Sequence, residues 1–333
     1  MTVRIGLIGA GGIANPHVRG YLRRPDTAQI VAVADVDAAA ARTRADQAGG
    51  DVTVYSDFTE LVRDENVDAV DICLPHHLHA PAILAAARAG KHVLCEKPLC
   101  LTVPEADEIT AAVESSSITL MCAHNQLYFP AVAKAREVIE SGVLGSVYEI
   151  RTTDSFFNNF DPANMGWRAE RAKIGGGELI DTGYHPTYLM LYLAGAVPTE
   201  VTALLSRHRL DFMDGEDSAQ VLVRFDDGKV GHIVTSWAYQ AAGCTERFSA
   251  VGDAGQLWSD GTTLFVRKRG EEAEEFSFDS VETIPAEVGD FADRITAGTR
   301  PLHDQTDGIN VLKVILGAYR SAEEKRIVTL ADL

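Results

Sequence analysis

Apolar residues in the first third of the chain fall in short, nearly unbroken runs at 3–8, 30–34, 52–55, 69–73, 92–95 and 119–122. Runs of that length without alternation predict strands of a parallel sheet covered on both faces. Between them the apolar positions recur at helical spacing, which predicts helices over 13–23, 38–48, 58–62, 80–89 and 105–115. The alanine-rich stretch 82–89 stops at Gly90, a residue that readily takes the left-handed conformation closing many helices. Strand and helix alternate with short connections. The expected fold is therefore α/β, a doubly wound parallel sheet with its ligand crevice beyond the strand carboxyl ends.

The pattern changes after residue 122. A helix is expected over 130–141, a turn at 142–145 and an alternating strand over 146–153. Gly175-Gly176-Gly177 precedes a stretch, 178–194, that predicts a single helix. From 200 to 267 the chain is mostly strands separated by Asp-Gly and Gly-Asp turns, and Phe225-Asp226-Asp227-Gly228-Lys229-Val230 is a hairpin signal. A helix over 307–324 and a short strand at 327–328 follow. Two domains are expected, residues 1–122 and 123–333, the second an α+β domain with a large, mostly antiparallel sheet. The acidic run Glu271-Glu272-Ala273-Glu274-Glu275 is expected to be a solvated loop.

Charge narrows the partners. The 30 basic and 48 acidic residues leave a net charge of −18, which disfavours nucleic acid and anionic membranes. No window approaches the roughly 20 apolar residues that span a bilayer, and the chain opens directly on a strand with no apolar leader. Cys73, Cys95, Cys100, Cys122 and Cys244 form no disulfide framework. Three of them lie in or beside inner strands, where a thiol packs as a small hydrophobe. They stand apart from other ligand types, so no metal site is expected, and the expected location is the reducing cytoplasm.

Candidate chemistry begins at the first turn. Gly9-x-Gly11-x-x-Ala14 follows a strand and opens a helix. The first glycine permits a tight turn, the second lets the backbone approach a pyrophosphate, and Ala14 stands where a small residue allows close helix–strand packing. Gly12 and Ile13 carry the chain into the helix, whose N–H groups and positive dipole end suit phosphates. Asp35 ends the second strand, about 20 residues beyond, where a carboxylate binds ribose hydroxyls. It would repel a 2′-phosphate, and Val36 and Asp37 offer no arginine, so NAD is expected over NADP. As an alternative, Asp35 caps the following helix, although Asp37 is better placed for that. Residues 1–122 are thus a candidate NAD-binding Rossmann domain. Lys97, in Cys95-Glu96-Lys97-Pro98, leaves another strand of that sheet and is placed to touch the reacting end of the cofactor.

Together with Leu74-Pro75-His76-His77-Leu78-His79 and Gly175-Gly176-Gly177-Glu178-Leu179-Ile180-Asp181-Thr182-Gly183-Tyr184-His185, these segments resemble the glucose–fructose oxidoreductase / inositol dehydrogenase / rhizopine-catabolism (Gfo/Idh/MocA) family. The resemblance covers nearly the whole chain, including the tail Tyr319-Arg320-Ser321-Ala322-Glu323. It implies that Lys97 and His185 face substrate beside the nicotinamide, with Asp181 alongside. It also implies that Leu74, Pro75 and His76 line the nicotinamide ribose, with His79, Glu96 and Asn125 at the cofactor, and that the Lys97–Pro98 bond is often cis. The second domain would bind substrate and form a homodimer or homotetramer through its open sheet face. Relatives commonly carry arginine where this chain has Tyr128, and asparagine where it has His76.

Oxidation of a secondary alcohol needs a base for the hydroxyl proton and a positive group for the developing alkoxide. His185 suits the first role near neutral pH, Lys97 the second. Asp181 is four residues before His185, so on one helix both share a face and the carboxylate can orient the imidazole or hydrogen-bond the substrate. Trp167, Arg168, Phe157, Tyr128 and Tyr239 are candidate walls for a small polyhydroxylated ring, plain packing being the alternative. His17, His208, His232 and His303 have no constellation around them. The expected activity is an NAD-dependent dehydrogenase of a sugar, aminosugar or cyclitol. The alternatives are a non-catalytic NAD-binding regulator and an oxidoreductase that recycles a retained cofactor between two sugars or eliminates through a transient ketone.

Overall fold

β1 (Val3–Ile8) is apolar and almost wholly buried because strands lie on both sides of it. The computed structural model describes residues 2–240 and 246–333, so Cys244 lies outside the described residues. After β1 come α1 (Ala14–Leu22), β2 (Ala28–Ala34), α2 (Ala38–Ala48), β3 (Thr53–Tyr55), α3 (Phe58–Leu61), β4 (Ala69–Ile72), α4 (His79–Arg88), β5 (His92–Glu96), α5 (Val103–Glu114) and β6 (Leu120–Ala123). The strands form one six-stranded sheet in the order β3-β2-β1-β4-β5-β6, every pairing parallel. The strand order reverses between β1 and β4, the switch point where such sheets bind ligands. Local chemistry agrees with the elements. Asp37 caps α2 by accepting from Ala39 and Ala40 N–H, and Thr102 and Glu105 form a capping box on α5.

The chain then forms α6 (Pro130–Glu140), β7 (Val147–Ser155), α7 (Arg171–Ile174), α8 (Glu178–Asp181), α9 (Tyr184–Ala194), β8 (Pro198–Ser206), β9 (Ser218–Phe225), β10 (Val230–Ser236), β11 (Phe248–Gly252), β12 (Gly255–Ser259), β13 (Thr263–Lys268), β14 (Glu274–Ser277), α10 (Thr283–Ala297), α11 (Gln305–Glu324) and β15 (Val328–Thr329). The second sheet has nine strands, ordered β14-β13-β12-β11-β7-β10-β9-β8-β15. Only its β7–β10 pairing is parallel. α9 is apolar on nearly every side and packs on β7 and β10, as a helix buried all round must. β9 alternates buried and exposed positions, and Tyr148, Leu204 and Leu222 are exposed on this sheet.

The chain divides into two compact units, Met1–Asn125 with Glu282–Ile309, and Gln126–Val281 with Asn310–Leu333. α10 is thus part of the first unit. Its apolar stripe (Val288, Phe291, Ala292) is buried, while Pro285 lies in its first turn, where proline costs no helical hydrogen bond.

Two expectations are corrected. The acidic run is not all loop, because Glu274 and Glu275 begin the exposed edge strand β14, where charge discourages pairing with other chains. The helix expected over 178–194 is split at Thr182–Gly183 into α8 and α9. At the break the Gly183 N–H bonds the Glu178 carbonyl, five residues back, and Gly183 is closely packed: a Cβ there would lie 2.7 Å from the Leu179 carbonyl oxygen and 2.9 Å from Thr235 Cγ2. Asp181 and His185 therefore do not share the face of one continuous helix.

Candidate active site

In the first unit, β1 ends on a turn that only glycine fits. Gly9 has φ +95°, and a Cβ would sit 2.4 Å from the Cys73 carbonyl oxygen at the end of β4. Gly11 and Gly12 are exposed with nothing within 4 Å of an added Cβ, so their backbone is open to a ligand. Ile13 is exposed and Ala14 fully buried against the sheet. α1 has no side-chain cap and no acidic residue in its first turn, so its positive end is not neutralised.

Asp35 accepts from Ala10 N–H at 2.7 Å and Asp37 N–H at 2.8 Å, one bond to each carboxylate oxygen. Each oxygen retains a lone pair, which is what two ribose hydroxyls require. Asp35 is thus no helix cap; Asp37 is. Val36 is 93% exposed beside it. This arrangement fits the adenosine half of a dinucleotide. One residue that the sequence pattern did not single out also touches the turn. Arg44, from α2, donates to the Ala10 carbonyl through Nε and to the Gly11 carbonyl through Nη2, both at 3.2 Å.

Lys97 follows β5 and is half-buried, and its bond to Pro98 is cis. Glu96 holds this turn, accepting from Lys97 N–H through Oε2 at 3.1 Å while Oε1 lies 3.1 Å from His17 Nε2. His79 is buried, with Nδ1 2.6 Å from the Pro98 carbonyl and Nε2 2.8 Å from the Leu74 carbonyl. It clasps the Leu74–Pro75 and Lys97–Pro98 turns together, and burial lowers its pKa against the pull of those carbonyls. Leu74 and Pro75 are half-buried and His76 is buried beside His79. Asn125 donates to Thr283 Oγ1 at 3.0 Å.

His17 corrects the expectation that it has no constellation. It is fully buried with Nδ1 2.8 Å from Asp71 Oδ2, and Tyr21 donates to the same carboxylate oxygen at 3.0 Å. Burial opposes a charged imidazole, but the Asp71 carboxylate outweighs it and holds the His17 pKa well above the usual value. His17, Asp71 and Cys73 bring possible ligand atoms within 4.8 Å of one another, and all three are engaged in this hydrogen-bonded cluster. Glu287 of α10 lies in the same buried region with no hydrogen-bond partner for either oxygen among the described residues. Burial and then the Glu96 charge push its pKa well up. His303 is also not isolated, since it contacts His124.

In the second unit, Asp181 ends α8 and is buried, accepting from Arg168 Nε at 2.7 Å. The Arg168 guanidinium lies 4.4 Å from the Trp167 ring centre, so Trp167, Arg168 and Asp181 form one group. His185 is half-buried in the first turn of α9, with Nδ1 2.8 Å from Tyr188 Oη. Tyr188 in turn accepts from Gln126 N–H at 3.0 Å. It was not singled out from sequence, although its position three residues after His185 was a usable signal. Tyr128 is half-buried after Gln126, and Phe157 is exposed with the Arg209 guanidinium 4.1 Å from its ring centre. Tyr239 packs its ring against His208.

Glu178, at the start of α8, is fully buried and accepts from Thr235 Oγ1, while Oε2 has no hydrogen-bond partner among the described residues. Burial raises its pKa well above the usual value; the Thr235 bond opposes this, and Glu216, Asp154 and Asp181 add to it. A carboxyl raised on folding contributes stability below the ordinary carboxylate range, and loses it as pH rises through the folded value. Glu178→Gln keeps the acceptor for Thr235 and removes the charge. It is expected to leave the melting temperature unchanged near about pH 4 and to raise it by several degrees at about pH 8. Equal shifts at both pH values in a thermal melt would contradict a neutral Glu178.

Among the described residues no helix is long and apolar enough to cross a membrane. Residues 3–124 match the model of an oxidoreductase family with an NAD-binding Rossmann fold, and residues 132–258 that of the GFO/IDH/MocA C-terminal domain. The chain is 27% identical to a myo-inositol 2-dehydrogenase of Thermotoga maritima over 99% of each sequence. It is 33% identical to a 1,5-anhydro-D-fructose reductase of Ensifer adhaerens over 68% of this chain and 67% of that protein. A solved levoglucosan dehydrogenase in complex with NADH superposes with a TM-score of 0.91 at 25% identity, covering 99% of both chains.

Proposed function

The chain belongs to the Gfo/Idh/MocA oxidoreductase family, and from that premise we propose that it is an NAD-dependent dehydrogenase oxidising a secondary hydroxyl of a neutral sugar, aminosugar or cyclitol. The observation that carries the substrate side is the contact of His185 Nδ1 with Tyr188 Oη. A phenol oxygen can accept from both Gln126 N–H and an Nδ1–H. In the tautomer that donates Nδ1–H to Tyr188, the Nε2 lone pair takes a proton, which is what a base acting on an alcohol needs. Relatives named for inositol and levoglucosan support a neutral polyol as substrate.

NAD, when bound, supplies the hydride acceptor. The glycine turn and the uncapped end of α1 would hold its phosphates, and Asp35 its adenosine ribose. The Asp35 carboxylate repels a 2′-phosphate, which favours NAD over NADP. Lys97 would donate to the reacting oxygen and stabilise its negative charge. His185 would take the hydroxyl proton. Asp181, paired with Arg168, would orient substrate or imidazole, and Trp167 offers the polyol an aromatic face. Assembly as a homodimer or homotetramer through the exposed face of the nine-stranded sheet belongs to the same proposal.

The test is the appearance of NADH absorbance with NAD and a panel of cyclitols, aldoses and anhydrosugars. NAD-dependent turnover of at least one is expected. Tight NAD binding with no turnover on any would contradict the proposal in favour of a regulator. Nicotinamide absorbance already present in the purified protein would favour a retained, recycled cofactor.

A further inference from the structure

We propose that Arg44 is a subsite for the 2′-phosphate of a dinucleotide, so that Asp35 alone keeps the enzyme selective for NAD. The proposal rests on the assignment of the glycine turn to NAD. Ala10 carries it, because its N–H is bonded to Asp35 and its carbonyl to Arg44. Carboxylate and guanidinium thus grip opposite ends of one turn residue, at the edge where the adenosine ribose would lie.

Arg44 is held there by neutral groups. Besides the two turn carbonyls it donates through Nη1 to Gln47 Oε1 at 2.9 Å, and Gln47 Nε2 donates to Asn15 Oδ1 at 2.6 Å, tying α2 to α1. Among the described residues it forms no ion pair, although the chain has 48 acidic residues to 30 basic. The guanidinium keeps its full charge for an anion and has N–H donors left over. Its planar fork matches phosphate oxygens. The positions directly after Asp35, where an arginine would be sought in sequence, hold Val36 and Asp37. The fold brings an arginine to the turn from the far half of α2 instead.

The test measures dissociation constants for NAD, NADP and 2′-AMP by calorimetry on the protein without sugar, and its melting temperature without nucleotide. The proteins are wild type, Asp35→Ser, Arg44→Gln, Arg44→Lys and the double variant Asp35→Ser/Arg44→Gln. Wild type should bind NAD more tightly than NADP, and Asp35→Ser should tighten NADP by about tenfold or more. Arg44→Gln should weaken NADP and 2′-AMP by about tenfold and NAD by less than about threefold, and should abolish the Asp35→Ser gain. Arg44→Lys, which keeps the charge, should retain most of the NADP affinity. Equal weakening of NAD and NADP by Arg44→Gln would overturn the proposal and make Arg44 a clamp of the turn. So would a double variant that keeps the NADP gain, or a lower melting temperature that accounts for every loss. A wild type that binds neither dinucleotide would instead defeat the NAD assignment itself.

Discussion

Lys97→Met is expected to lower kcat by about 10²–10³-fold, the usual loss when one donor to a developing oxyanion is removed. The backbone that carries Lys97 is held by neighbouring groups. Glu96 accepts the Lys97 N–H, His17 engages Glu96, and His79 binds the Pro98 carbonyl. Methionine fills most of the space of the lysine stem. The variant should therefore melt at the wild-type temperature and bind NAD within about threefold of wild type. The loss belongs in kcat because the ammonium favours the alkoxide more than the neutral hydroxyl. Turnover within a few-fold of wild type would remove Lys97 from the chemistry. A lower melting temperature would make it part of the fold of the turn.

His185→Asn is expected to cost about 10²–10⁴-fold in kcat/KM, the range for a positioned acid–base group. Wild-type kcat/KM should fall on the acid side as the base is protonated. That acid limb should vanish in the variant, because asparagine does not titrate. Tyr188→Phe removes the hydroxyl that contacts Nδ1 and leaves the ring in place. It should lower kcat less than His185→Asn does and move the acid limb, since the imidazole loses its hydrogen-bond partner at Nδ1. An unaltered pH profile in His185→Asn would show that another group is the base.

The parallel sheet was legible because its strands are buried on both faces and leave unbroken apolar runs; β1 and α2 have the expected bounds. The glycine turn was legible for a similar reason, since Gly9 is required by backbone sterics that no other residue meets. What escaped depends on tertiary proximity. α10 was hidden by Pro285, which resembles a breaker until the helix start is known. The single helix expected over 178–194 is interrupted at Thr182–Gly183, where the Gly183 N–H bonds the Glu178 carbonyl five residues back, a slip that helical periodicity does not reveal. His17 looked isolated because its partners Asp71 and Glu96 are distant in sequence and adjacent only in the sheet. Arg44 was passed over because helix α2 brings it back to a turn more than thirty residues earlier. Conversely, Asp181 and Arg168 were each singled out, but only the fold pairs them.

The most direct measurement is a crystal structure of the enzyme with NAD and a sugar that it turns over, refined well enough to place the reacting hydroxyl. The expected result is one alcohol oxygen within about 3.2 Å of both Lys97 Nζ and His185 Nε2. A bound sugar whose reacting hydroxyl meets only one of the two, or neither, would contradict a shared role for them in oxidising it.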